Sequence, residues 1–216
     1  MKCVIIANGD FEYKGAVRDV LDDAELIICA DGGARHLKAV NIHPHVLIGD
    51  FDSIQAEDKM LFETGKTLII THPVNKDKTD THLCIDWAVE NQATDISLLG
   101  VTGTRMDHTL ANIYLLTKLA RKGIPARIIN SHNEIYLTHD YLELKGWPGE
   151  YLSLIPVSEK VKGITLKGLE YKLENAEIQM GDSLGISNMF RKQDKKKSMA
   201  SVHIREGVLL VIKSKD

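Results

Sequence analysis

Short apolar runs separated by polar turns open the chain. Residues 4–7, 25–30, 46–48, 67–71, 96–100 and 126–130 each read as a strand of the kind that fills a parallel sheet buried on both faces. Between them, helices are expected over 15–21, 34–40, 55–64, 81–91 and 108–122. In the last, Leu110, Ile113, Tyr114 and Thr117 share a face at helical spacing, and Gly123-Ile124-Pro125 ends it. Strand–helix alternation of this sort builds βαβ units and a doubly wound sheet.

From about residue 128 no segment keeps helical periodicity. Residues 134–138, 141–145, 151–156, 163–169, 183–189, 199–205 and 208–212 are short, β-rich and separated by Gly, Asp, Pro or Lys turns. Glu206-Gly207 reads as a tight hairpin turn between the last two strands. Short strands at this spacing suggest a small sandwich or barrel. Two domains are therefore expected, an α/β domain over 1–130 and a β domain over 131–216.

Composition narrows the classes. With 216 residues, 44% hydrophobic and 26% charged, the chain can bury a core. Its formal net charge of −3 offers no global basic field for nucleic acid. The run from Arg191 to Lys197 lacks interleaved aromatics and reads as a solvated hairpin loop. No apolar run approaches the ~20 residues that cross a membrane. The apolar start is stopped at once by Asn8-Gly9-Asp10 and reads as a strand, not a leader. Cys3, Cys29 and Cys84 are scattered in apolar segments without a CxxC pair, so free buried thiols and a cytoplasmic location are expected.

The chemistry gathers at strand ends, where open α/β sheets bind ligands. Asp31-Gly32-Gly33-Ala34 follows the second strand and Gly49-Asp50-Phe51-Asp52-Ser53 the third. Asn75 to Thr81 precedes a helix, and Val101 to His108 follows the strand ending at Gly100. Taken singly, Asp31, Thr79, Asp80 and Asp107 could be turn or helix-cap residues. Asp50 and Asp52 are different, because alternate residues of an extended loop point the same way. Two adjacent carboxylates repel unless a cation lies between them, and all-oxygen donors favour magnesium over zinc. Gly32-Gly33 and Gly100-x-x-Gly103 would let backbone N–H groups approach phosphate before a helix N-terminus, and Arg105 adds a fork of donors. Gly65-Lys66-Thr67 is a decoy for a Walker A loop, since Met60 stands where its first glycine belongs. No GxGxxG follows the first strand, which disfavours a dinucleotide dehydrogenase. His108 reads as the start of a helix. Residue chemistry alone thus reaches magnesium-assisted nucleotide-phosphate chemistry, with the acceptor open. A transferase acting on another small alcohol, such as a pterin, and a non-catalytic sensor are the rival readings.

DGGA at 31–34, IGDFDSI at 48–54, KDKTDT at 76–81, GTRMDHTLAN at 103–112, GLEYKLEN at 168–175 and GISN at 185–188 together resemble the thiamine pyrophosphokinase family, in its order and approximate spacing over nearly the full length. The resemblance implies a Rossmann-like catalytic domain, a C-terminal β-sandwich that binds thiamine, and a homodimer with active sites between subunits. It implies transfer of the β,γ-diphosphate of ATP to the thiamine hydroxyl, releasing AMP. On this pattern Asp50, Asp52 and Asp80 would hold Mg2+, and Arg105 would steady phosphate charge. Asp107 would bind metal or accept the hydroxyl proton. Asp31, Gly32, Gly33, Lys78, Thr79, Thr102, Gly103 and Thr104 would contact ATP. Tyr171 stands where some relatives carry a tryptophan that stacks on the thiamine pyrimidine, and it keeps an aromatic face for a planar cation. Ser187 and Asn188 would hydrogen-bond to the pyrimidine.

Overall fold

The strand Leu26–Ala30 is buried at all five positions, as an apolar run enclosed on both faces must be. It belongs to the first of two compact units, Met1–Ser131 and His132–Asp216. The structure is a computed structural model that describes residues 1–51, 66–75, 77–191 and 196–215. The helix expected over 55–64, Asp52 and most of the lysine run lie outside the described residues.

The first unit has six parallel strands, β1 (Lys2–Ile6), β2 (Leu26–Ala30), β3 (Val46–Gly49), β4 (Leu68–Thr71), β5 (Asp95–Leu99) and β6 (Ala126–Ile129). Their order is β6-β5-β1-β2-β3-β4. The chain runs outward from β1 to β4 and then returns to the other side of β1, so the topological switch point lies between β1 and β5. The helices are α1 (Gly15–Asp22), α2 (Ala34–Ala39), α3 (Asp80–Glu90) and α4 (Met106–Arg121), with a 3-10 turn over Asp31–Gly33. Thr79 begins α3 by accepting a hydrogen bond from the His82 backbone N–H at 3.3 Å. α3 then packs on β1, β2 and β3. One expected face is corrected. In α4 the buried residues are Asn112, Leu116 and Leu119, whereas Leu110 and Tyr114 are exposed. The stripe on the sheet is thus rotated from the one that apolar spacing suggested, because the polar Asn112 takes an inward position.

The second unit is a β-sandwich. Its strands are β7 (Asn133–Thr138), β8 (Tyr141–Gly146), β9 (Tyr151–Pro156), β10 (Lys160–Lys167), β11 (Ala176–Gln179), β12 (Asn188–Met189), β13 (Ser198–His203) and β14 (Leu209–Ser214). They form two antiparallel sheets, β12-β9-β14-β7 and β11-β10-β13-β8. Inward residues of both, among them Leu152, Leu154, Val161, Ile164, Val202 and Val211, make one core with Phe190. Phe190 is fully buried, and a Cβ on Gly146 would come within 2.4 Å of its ring, so only glycine fits there.

Three expectations change here. The segment 183–189 keeps only Asn188–Met189 as strand, because Gly185 (φ 96°) and Ser187 (φ 58°) turn the chain through left-handed backbone. β11 was not anticipated, since Ile178 is its one buried side chain. Glu206-Gly207 is no hairpin turn: β13 pairs with β10 and β8 while β14 pairs with β7 and β9, so this turn carries the chain from one sheet to the other. Glu206 instead bridges to Lys162. Among the described residues no helix is long and apolar enough to cross a membrane.

Candidate active site

At the switch point the strand ends open into a cleft of about 530 Å³. Ala7 to Asp10 after β1, Ala30 to Gly32 and Arg35 around the 3-10 turn, and Thr79 to Thr81 at the start of α3 line one part. Gly100 to Arg105 after β5, with His108, Thr109 and Asn112 of α4, line the rest. The loops after β1 and β5 are sewn together. Gly9 N–H donates to the Gly100 carbonyl at 2.6 Å and Asp10 N–H to that of Thr102 at 2.7 Å. A Cβ on Gly9 would stand 2.2 Å from the Thr102 oxygen, which explains glycine at that position. Asn112 Nδ2 donates to the Val101 carbonyl at 2.8 Å from a buried position, and Gly103 N–H donates to Thr109 Oγ1 at 3.2 Å. The inward turn of Asn112 thus holds the β5 loop over α4.

Several residues singled out from sequence meet in this cleft: Asp31, Gly32, Thr79, Asp80, Thr102, Gly103, Thr104 and Arg105. Asp50 follows β3, and the Gly49 backbone before it packs on the Asp31 side chain, an ideal Cβ there falling 2.8 Å from Asp31 Cβ. Asp52 lies outside the described residues. Gly33 does not line the cleft; it is buried, and a Cβ there would meet the Ile6 carbonyl at 2.6 Å, so it serves packing under β1. Nor does Lys78, which pairs with Asp86 at 2.8 Å.

Charge is distributed unevenly. Arg105 holds Asp107 in a two-pronged contact, Nη2 to Oδ2 at 2.5 Å and Nε to Oδ1 at 3.2 Å. That hydrogen-bonded guanidinium pulls the Asp107 carboxyl down to about 2. Asp107 itself is exposed and outside the cleft lining. His36 Nε2 lies 2.9 Å from the Gly9 carbonyl, and the ring stacks on Phe11. Burial first, then the charge of Arg35, keeps the His36 pKa below its ordinary value.

The cleft residues that sequence reading passed over are Asn8, Asp10 and Arg35; Thr81, Thr109 and Asn112 lay inside quoted motifs without an assigned role, and His108 was given little weight. Asn8-Gly9-Asp10 carried a readable signal, because it follows a first strand just as Asp31-Gly32-Gly33 follows the second.

The donors at the strand ends fit magnesium in one mode. Among the described residues no three His, Cys, Asp or Glu side chains group closely enough to cage a metal by themselves. What the strand ends offer is carboxylate: Asp10, Asp31 and Asp80 in the cleft and Asp50 beside it. Hard oxygen donors of that kind hold magnesium through one or two carboxylates while water and phosphate complete its shell.

In the second unit, of the three residues expected to meet thiamine, Tyr171 and Ser187 are exposed and Asn188 is not. Tyr171 is 61% exposed. Asn188 is buried, and its amide is spent inside the fold. Oδ1 accepts from the backbone N–H of Tyr171 at 3.0 Å and of Met189 at 2.9 Å, while Nδ2 donates to the Tyr171 carbonyl at 2.7 Å. Ser187 is exposed, with its backbone N–H on Ser153 Oγ at 3.0 Å.

A doubly wound sheet whose switch-point cleft combines glycine backbone, hydroxyls, guanidinium and carboxylates defines a phosphotransferase-type enzyme domain, here followed by a β-sandwich. Residues 17–128 match the thiamin pyrophosphokinase catalytic domain, and residues 133–209 match the thiamin pyrophosphokinase vitamin B1 binding domain. The chain belongs to the thiamine pyrophosphokinase family. It is 34% identical over 214 residues to thiamine pyrophosphokinase of Bacillus subtilis (strain 168), covering 98% of each chain. The crystal structure of thiamine pyrophosphokinase from Bacillus subtilis superposes with a TM-score of 0.87 at 31% identity over all of both chains. That of thiamin pyrophosphokinase from Geobacillus thermodenitrificans gives 0.81 at 32% identity, covering 100% of this chain and 98% of the other.

Proposed function

We propose that this enzyme transfers the β,γ-diphosphate of ATP to the hydroxyl of thiamine, giving thiamine diphosphate and AMP. The observation that carries this is the pairing, in one chain, of a catalytic-domain match over 17–128 with a vitamin B1 binding match over 133–209. In the transfer the thiamine hydroxyl oxygen bonds to the β-phosphorus. The bond from that phosphorus to the oxygen bridging the α-phosphorus breaks, and AMP leaves with that oxygen. The hydroxyl proton passes to a base.

We assign Asp50, Asp52 and Asp80 to magnesium, with Asp31 as a neighbouring carboxylate. The bound ion would offset triphosphate charge and orient the transferring group. Around it the chain's own groups do the rest. Gly32, Thr79, Thr102 and Thr104 offer backbone N–H or hydroxyl groups to the polyphosphate, Gly103, its N–H held by Thr109 Oγ1, shapes the turn between them, and Arg105 meets the charge that develops on it. Asp107, with a carboxyl near 2, is a poor proton acceptor at neutral pH, so its pairing with Arg105 supports a positioning role over that of general base. Tyr171 would stack on the pyrimidine, and Ser187 would contact its polar edge.

A homodimer is proposed from the family pattern and is checked by the sedimentation mass. A cytoplasmic location is proposed because Cys3, Cys29 and Cys84 are buried and form no disulfide.

Incubation with ATP, magnesium and thiamine should yield AMP and thiamine diphosphate, and chelation should stop it. ADP as the nucleotide product would overturn the reading. Asp50→Asn, Asp52→Asn and Asp80→Asn should each lower kcat by roughly a hundredfold or more with the fold retained, the scale of losing one preorganised charge contact. Near-normal turnover in any of them removes that residue from the metal site.

A further inference from the structure

Arg35, the second residue of α2, lines the cleft although no sequence motif pointed to it. Its Nη2 donates to the Asn8 carbonyl oxygen at 3.0 Å. That carbonyl belongs to a fixed loop. The next two residues are tied to the β5 loop by Gly9 N–H and Asp10 N–H, and the Gly9 carbonyl is held by His36. The guanidinium is therefore anchored at one corner to rigid backbone. A guanidinium carries five N–H donors, so most of the fork lies outside that single bond.

The two arginines of the cleft differ in what holds them. Arg105 is neutralised locally by its two-pronged contact with Asp107. Arg35 forms no ion pair among the described residues, and its fixed contact is to a neutral carbonyl. Its charge is felt by the neighbouring His36, where it is the second cause, after burial, of the lowered pKa. A guanidinium matches phosphate oxygens in geometry and charge, and one already oriented loses less freedom on binding.

We propose that Arg35 is a phosphate-binding residue of this cleft, gripping the polyphosphate of the nucleotide with the donors that Asn8 leaves over. The identity of the anion as a nucleotide polyphosphate rests on the function proposed above; the anion-binding role does not.

The test measures binding and turnover separately, in the full chain. Calorimetry with ATP, inorganic tripolyphosphate and adenosine is compared for the wild type, Arg35→Gln and Arg35→Lys. Arg35→Gln should weaken ATP and tripolyphosphate on the order of tenfold to a hundredfold, the scale of a lost charged hydrogen bond, and leave adenosine unchanged. Arg35→Lys should recover only part, because an ammonium lacks the planar fork that reaches Asn8 and phosphate together. The KM for ATP should rise while that for thiamine stays level. Arg35 is exposed, so the melting temperature should not move. Unchanged tripolyphosphate binding in Arg35→Gln overturns the proposal, as does an equal loss for adenosine and ATP, which would mean a base or ribose contact. If tripolyphosphate binding falls but the wild type makes no AMP with thiamine, the phosphate role stands and the proposed reaction fails. If AMP forms and Arg35→Gln behaves as wild type, the reverse holds.

Discussion

Asn188 holds Tyr171 by both faces of its peptide backbone. The buried amide accepts from Tyr171 N–H at 3.0 Å and donates to Tyr171 C=O at 2.7 Å. A ring that is 61% exposed is thereby fixed from beneath by a side chain only 3% exposed. Loss of the amide leaves three backbone groups seeking partners, those of Tyr171 and the Met189 N–H, at a cost of about 1–3 kcal/mol. Asn188→Ala should therefore lower stability by that amount in urea titrations. It should also raise the KM for thiamine by roughly tenfold, the equivalent of 1.4 kcal/mol, with the KM for ATP unchanged. If both KM values rise together, Asn188 supports the whole fold and not the Tyr171 loop.

Gly9 gives a sharper steric case. Its added Cβ would lie 2.2 Å from the Thr102 oxygen and 2.6 Å from the Gly100 oxygen, both backbone atoms without a rotamer to yield. Gly9→Ala must push apart the loops that meet at the switch point. The expected cost is about 1–3 kcal/mol of stability, with a larger relative loss of ATP binding. Gly15→Ala is a useful contrast, because nothing lies within 4 Å of its Cβ and only the positive φ of 53° opposes it. Equal ATP affinity in Gly9→Ala and wild type would show that the two loops can separate without consequence for the cleft.

Strands are legible where burial is total and the apolar run is continuous, as in β2 and β3, because period and composition then agree. That Asp31, Asp80 and the Gly100–Arg105 segment share one cleft was legible for a related reason: the loops at the strand ends of an open sheet converge, so they had to approach one another. What stayed hidden depends on side-chain direction and pairing. No spacing shows that Asn112 turns inward to hold Val101, that Lys78 is drawn to Asp86, or that Asn188 serves Tyr171's backbone. Arg35 was hidden because a single basic residue on a short helix looks like any solvated surface charge. Its relation to Asn8 exists only once β1 and β2 lie side by side.

His36 should make stability fall on the acid side of neutrality. Burial and the neighbouring Arg35 depress its folded pKa below the unfolded 6.5, while Gly9 C=O and Asp10 pull weakly the other way. A histidine depressed in the folded state contributes stability that is complete above the unfolded pKa and is lost as pH falls through the folded value. The melting temperature should accordingly drop as pH goes below about 6.5. His82 contributes in the same direction through burial and Lys118, so His36→Gln should reduce the slope without abolishing it. Identical slopes for wild type and His36→Gln between pH 6.5 and 5 would remove His36 as a source of it.

Asp86 is the charge that joins two cleft helices. It lies on α3, 20% exposed, and is met by Lys118 of α4 and, at 2.8 Å, by Lys78 ahead of α3. Burial alone would raise its pKa, but hydrogen bonds from the two lysines hold it below the usual carboxylate value. Lys118 also donates to His82 Nε2 at 2.8 Å, which places the hydrogen of the neutral His82 ring on Nδ1. The two lysines should not count equally. The Lys118 side chain is 32% exposed and that of Lys78 48%, so water screens the second pair more. Double-mutant cycles should show the order. Coupling of Asp86→Asn with Lys118→Met should be about 1–2 kcal/mol, and that with Lys78→Met should be smaller and fade further in high salt. A larger coupling to Lys78 than to Lys118 would mean that Asp86 serves the entry to α3 and not the contact between the helices. In that case Asp86→Asn should alter the KM for ATP without weakening the packing of α4.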